Sequence, residues 1–312
     1  MTAGWAPEPL AVRTDLARGG RWTSLAAPGR EWLWHHPDPA VQAARASAVG
    51  PAFVDAGGGE ECLPTVDGDP DHGAVWPLAW QPGAREGEAA VAADGLALRR
   101  HLAARAGVVR AAYRVSGAPG QELVHAVHLL LDLSPAARVR LPAVGVPCAV
   151  REERPGAPGR PRRWSAPWPP RVGEHDADRL GPDDGTAAAV LVPGCDRALV
   201  VDGDDALELR WGADHDQPVS LLLWRNLRGW PAGAPYRSTG LEPLLGATSD
   251  LAAAQQVSAR GGASGDRGGA ARLDASGQAS WWLEVRTRRR PGPQDRPGQA
   301  VGASSPGGPS GP

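Results

Sequence analysis

Apolar residues along this chain gather in short runs, broken every few positions by Gly, Pro or Asp. The runs include Leu10–Arg13, Arg21–Leu25, Glu31–Trp34, Leu96–Leu102, Val108–Val115, Leu123–Leu133 and Arg138–Leu141. They continue through Ala187–Val192, Ala198–Val201, Ala206–Trp211, Val219–Trp224 and Trp281–Thr287. In Leu207–Trp211, Leu-Glu-Leu-Arg-Trp, the alternation sends one set of side chains inward and the other outward, which predicts a strand on a half-buried sheet. Two stretches predict helix instead. Pro39–Val49 is rich in Ala with few β-branched residues, and Ser249–Ser258 opens with Ser and Asp, a capping pair, before an Ala/Gln run. Many strands, few helices and no strand–helix alternation predict an all-β fold, a sandwich or a barrel, and exclude a Rossmann-type dehydrogenase.

Three segments interrupt this pattern. Gly156–Arg163 is a Pro/Arg/Gly insertion, Gly261–Gly269 is Gly-rich, and from about Arg289 to Pro312 the chain holds little that could be buried. Such segments cannot offset their ordering entropy and are expected to be disordered. The expectation is one folded domain over 1–288 with a Pro/Gly/Ser-rich tail over 289–312.

Composition narrows the chemistry. With 42% apolar residues the chain can fill a sizeable core, and its net charge of −2 argues against a partner such as nucleic acid. All 33 cationic side chains of the Lys+Arg total are Arg, so Schiff-base amines and the lysine of a phosphate-binding loop are excluded. Cys62, Cys148 and Cys195 are widely spaced, without a C-x-x-C pair, which fits three reduced thiols in a cytoplasmic protein. The first residues lack the basic-then-apolar pattern of a secretion signal, and no run approaches the ~20 apolar residues of a membrane helix.

Three clusters place titratable groups among Gly, Pro and apolar residues, where a charge is costly unless paired or used. They are Gly57–Trp76 (GGGEECLPTVDGDPDHGAVW), Val124–Pro135 (VHAVHLLLDLSP) and Tyr236–Leu251 (YRSTGLEPLLGATSDL). His125 and His128 are three apart, so on a strand they face opposite sides. His101, His175 and His215 read as surface residues, and His35 and His36 as loop. Thirteen Trp stand against one Phe and two Tyr. Trp76, Trp80 and Trp230 lie beside or between the clusters, where they could either line a cleft or pack in the core.

In order and spacing, the Gly-Gly-x-Glu-Glu-x-x-Pro-Thr of 57–65 with Pro70–Gly73, the His128 leading into Leu130–Leu133, and the Gly-x-Glu-Pro-x-x-Gly of 240–246 with Asp250–Leu251 resemble the galactose mutarotase-like (aldose 1-epimerase) superfamily. The similarity runs thinly from about Leu10 to Trp282 and is nearest to a less characterised bacterial branch. It implies a large β-sandwich with a few short helices, and an enzyme that interconverts the anomers of a cyclic sugar. By position, Glu242 matches the base that takes the C1 hydroxyl proton, and His128 the acid that protonates the ring oxygen. His72 matches a second His near that oxygen, and Glu60, Glu61, Trp76 and Arg237 are candidates for holding the sugar. Ring opening needs an acid and a base about one acetal carbon, and no metal or organic cofactor. The chain departs from the family in lacking an Asn-Arg pair ahead of the first His, in Gly59 where Trp is usual, and in Leu129 where Pro is usual. A sugar-binding protein without turnover, and a sugar-phosphate epimerase using Arg225, Arg228 and Arg237, stand as alternatives.

Overall fold

The computed structural model describes residues 5–50, 52–142, 144–153, 161–261 and 268–290. Two large antiparallel sheets face one another. One has ten strands, the middle of which run in the order Pro147–Glu153, Ala187–Pro193, Val219–Leu227, Arg237–Leu245, His125–Leu131 and Gly59–Cys62. The other has nine, centred on Asp205–Ala213, Gln278–Arg289, Val108–Ser116 and Leu96–Arg105. The core between them is built from the inward residues of both, among them Val127, Leu129, Leu221, Leu223 and Leu241 against Val109, Leu207, Leu209 and Leu283. This is an all-β sandwich, one of the two forms that the alternation predicts and the one that the resemblance implies.

The two helices fall where the pattern places them. Helix α1 (Pro39–Ser47) starts with Asp38 accepting from Ala40 N at 2.8 Å and with Pro in the first turn, where its missing N–H costs nothing. Helix α2 (Leu251–Gly261) starts with Asp250 accepting from Ala253 N at 2.9 Å. Part of the Gly156–Arg163 segment is ordered after all. Arg162–Pro167 forms an edge strand on Pro147–Glu153, whereas residues 154–160 lie outside the described residues. Most of the Gly261–Gly269 segment (262–267), and the tail beyond Arg290, also lie outside them. Arg289 ends the strand Gln278–Arg289. No helix among the described residues is long and apolar enough to cross a membrane.

Two central strands escape a period-two reading. His125–Leu131 and most of Arg237–Leu245 are buried on both faces, one against the opposing sheet and the other under loops. A strand covered on both sides has no polar face to alternate with. Gly240 and Pro243 also argue locally against a strand at 237–245. Pro243 marks the ladder. Pairing between these two strands skips Val127–Pro243 and His128–Glu242, the two pairs whose bridges require a donor at residue 243.

Candidate active site

On the face of the ten-stranded sheet turned away from the core, cross-strand register sets three titratable residues in one row. Glu60 stands opposite His128, and His128 stands beside Glu242 across the skipped pair. Directly opposite residues on one sheet face have their Cβ atoms about 5 Å apart, so the side chains must meet. His128 Nδ1 lies 2.9 Å from Glu242 Oε1, with the two side chains 6% and 2% exposed. The contact is an ion pair rather than an aligned hydrogen bond. Among the described residues, neither ring nitrogen of His128 nor Glu242 Oε2 has a hydrogen-bond partner. Burial alone would lower the His128 pKa, but the Glu242 carboxylate, with Asp55 and Glu60 behind it, outweighs burial and raises it to about 9.

These two residues form part of the wall of a cavity of about 280 Å³. His72 closes over them. Its ring stacks on Phe53 (centroids 3.5 Å apart, planes 8° apart) and stands edge-on to His128 at 4.9 Å. Its backbone sits at φ 61°, a left-handed conformation that costs a side-chain-bearing residue energy and is held by its surroundings. Asp71 contacts His72 Nδ1 at 3.0 Å; burial would raise the Asp71 pKa, but the imidazole and the nearby charges bring it below the ordinary value. Arg151 pairs with Asp67 at 2.6 Å and Glu153 at 3.0 Å, and Trp224 and Trp230 complete the far wall.

The structure therefore brings together His72, His128 and Glu242, and sets the other expected sugar contacts elsewhere. Glu60 shares the His128 face, but Arg45 from α1 holds it bidentately at 2.8 Å on each oxygen and Arg21 approaches to 3.2 Å, so it is absent from the cavity wall. Glu61, one residue on, points into the core. It accepts from Arg100 at 2.6 Å, Tyr113 at 3.0 Å, Trp22 at 3.2 Å and His125 at 3.1 Å. Burial would raise the Glu61 pKa, but the His125 and Arg100 contacts bring it below the ordinary value. Trp76 is fully buried, edge-on beneath Phe53 and under the Arg45 guanidinium, and Trp80 is buried beside Arg100. Arg237 is tied to Asp183 at 2.7 Å and to Gly181 O at 2.9 Å and lines a neighbouring trough.

Sequence reasoning missed Phe53, Asp55, Asp67, Asp71, Arg151, Glu153 and Trp224. One signal was available: the sole Phe of the chain sits in a loop segment, 52–56, where no core strand needs it. The acidic and Arg151 contributions come from distant segments and leave no local trace. Among the described residues, no three of His, Cys, Asp and Glu stand close enough to ligate a metal ion.

No family model matches the chain, and no curated protein matches it by sequence. Solved structures do match by shape. A candidate aldose 1-epimerase from Escherichia coli K12 superposes with a TM-score of 0.62 at 12% identity, over 91% of this chain and 99% of that one. A galactose mutarotase-like protein from Lactobacillus casei ATCC 334 gives 0.54 at 12% identity, over 91% and 100%. A galactose mutarotase related enzyme from Lactobacillus acidophilus gives 0.55 at 12%, over 90% and 95%. At such identities the likeness speaks for the fold, and the fold is the mutarotase-like β-sandwich.

Proposed function

We propose that this protein is an isomerase of the aldose 1-epimerase kind, opening and reclosing the ring of a neutral cyclic sugar. One observation carries the reading. An imidazole and a carboxylate stand side by side in the wall of a cavity, and His128 Nε2 and Glu242 Oε2, both buried, have no partner among the described residues. Buried polar groups left unpaired are costly, and a hemiacetal supplies a hydroxyl and a ring oxygen, one atom apart from the same carbon, to satisfy both.

The step balances. Glu242 takes the proton from O1 while protonated His128 gives one to O5; the C1–O5 bond breaks and the C1–O1 bond becomes a carbonyl. Rotation about C1–C2 presents the other face of the carbonyl. O5 then attacks it, returning its proton to His128 as Glu242 reprotonates O1. With its pKa at about 9, His128 holds the required proton at neutral pH. The cavity size, just under the roughly 300–1,000 Å³ of small-ligand sites, suits one pyranose ring.

The charges around the cavity favour a neutral sugar over a phosphorylated one. Asp55, Asp67, Asp71, Glu153 and Glu242 face Arg151 and His128. Arg225, needed for the phosphate reading, is fully buried and donates to Leu180 O and Val172 O; Arg228, like Arg237, is paired with Asp183. The test is anomer exchange by NMR for glucose, galactose and glucose 6-phosphate. The expected result is faster exchange for a neutral hexose, with glucose 6-phosphate accelerated at least about tenfold less in kcat/KM. A preference for the phosphate would overturn the assignment of substrate class.

A further inference from the structure

Beside the His128–Glu242 cavity lies a trough of about 620 Å³, more than twice the cavity's volume of about 280 Å³. Phe53, Asp55 and Trp230 belong to the walls of both. The trough is aromatic. Trp34 and Tyr236 are stacked with centroids 5.4 Å apart and planes 16° apart, and His36 stands edge-on to both at 5.6 and 5.0 Å. Trp230 sits at the seam, edge-on to Tyr236 on the trough side and to Trp224 on the cavity side, 6.1 Å from each.

Trp230 is 39% exposed, the only exposed Trp among the described residues. It is nevertheless held firmly. Asn226, fully buried, donates to Trp230 O at 2.8 Å and accepts from Gly229 N at 3.0 Å and Trp230 N at 3.1 Å. Tyr236 is held too, its hydroxyl donating to Asp55, and it stands one residue before the strand that carries Glu242. An apolar ring kept open to water on a pinned loop, next to a reactive cavity, has the form of a preorganised platform.

We propose that the trough is a second sugar subsite, and that the substrate is the reducing end of a disaccharide or longer oligosaccharide rather than a free monosaccharide. The inference rests on reading His128 and Glu242 as the acid–base pair. With C1 held between them, the cavity is filled by one ring, and a glycosidically linked second ring passes the seam at Trp230 into the trough. A pyranose offers a flat face of C–H groups and a rim of hydroxyls. The aromatic side chains of the trough match the first, and Arg228 and Asp38 at its edge match the second. Arg237, expected from the sequence to hold sugar, lines this trough and so serves the second ring.

The experiment compares anomer exchange of maltose, cellobiose and lactose with that of glucose, using the full chain, and repeats it with Trp34→Ala. At least one disaccharide is expected to exceed glucose in kcat/KM by roughly tenfold, and Trp34→Ala to reduce that ratio severalfold. Because Trp34→Ala can fail to fold, saturation-transfer NMR on the wild-type protein supplies a second reading, in which protons of the non-reducing ring receive saturation. Glucose accelerated as well as every disaccharide, with no saturation of the second ring, overturns the subsite and leaves the epimerase intact. No acceleration of any sugar removes the epimerase reading and the subsite with it.

Discussion

His125 and His128 sit three residues apart on one strand and meet opposite environments. The Trp281 N–H donates to His125 Nδ1 at 2.8 Å, which leaves Nε2 to carry the proton towards Glu61. That ring is tied at both ends inside the core. His128 faces the cavity, touches Glu242 and has a nitrogen to spare. Period-two geometry is enough to separate the two faces, and the resemblance of the surrounding motif then picks His128 as the one in the cleft. The pH dependence follows from the charge next to it. The pKa of His128 rises from 6.5 to about 9 on folding, so the folded state binds its proton more tightly. Taken by itself, this group stabilises the fold fully below about pH 6.5, and the contribution is lost as pH rises through about 9. In the proposed mechanism the same proton is the one given to the ring oxygen. Wild-type protein is therefore expected to lose both turnover and melting temperature between about pH 8 and pH 10, with a smaller loss of melting temperature in His128→Asn. An equal decline of melting temperature in both proteins would show that His128 does not carry the effect.

At the scale of elements, neighbouring residues on one short strand do different work. Glu60 and Glu61 alternate on Gly59–Cys62, so one meets Arg45 and Arg21 on the cleft face and the other meets Arg100 in the core. Glu61→Gln leaves Arg100 buried beside a neutral amide, and breaking a buried pair in this way costs on the order of 3–5 kcal/mol. The expected drop in melting temperature is roughly 10 °C, against a degree or two for Glu284→Gln, whose Arg110 partner is partly exposed. A Glu61→Gln protein as stable as the wild type would contradict the structural role given to this network. The pair was visible in the sequence as a conspicuous Glu-Glu; its partners were not, because Arg45 and Arg100 come from a helix and from the opposite sheet. The strand carrying Glu242 was hidden in the same sense. Its Pro and Gly signal a break locally, and only the assembled sheet shows that Gly240 is paired on both sides while Pro243 opens the ladder towards His125–Leu131, at the site.

At the scale of the whole molecule, the sandwich gives the ten-stranded sheet two buried faces, one for the core and one for the site. The all-β architecture and both helices could be read from periodicity and capping, since these are local consequences of the residues. The cavity itself could not, because its walls come from Phe53 to Glu242 and meet only when the sheet is assembled. The shape is shared with solved structures at 12% identity, so mostly different side chains are compatible with one arrangement of the sheets. The account stands on the claim that Glu242 and His128 act on the anomeric carbon of a sugar. Its most direct test is polarimetry of freshly dissolved α-D-glucose and maltose with the wild-type protein and with Glu242→Gln, which keeps the shape and removes the base. Wild-type protein should hasten the approach to anomeric equilibrium, and Glu242→Gln should lose at least about 100-fold of that acceleration. Full activity in Glu242→Gln, or no acceleration by the wild-type protein, would contradict the claim.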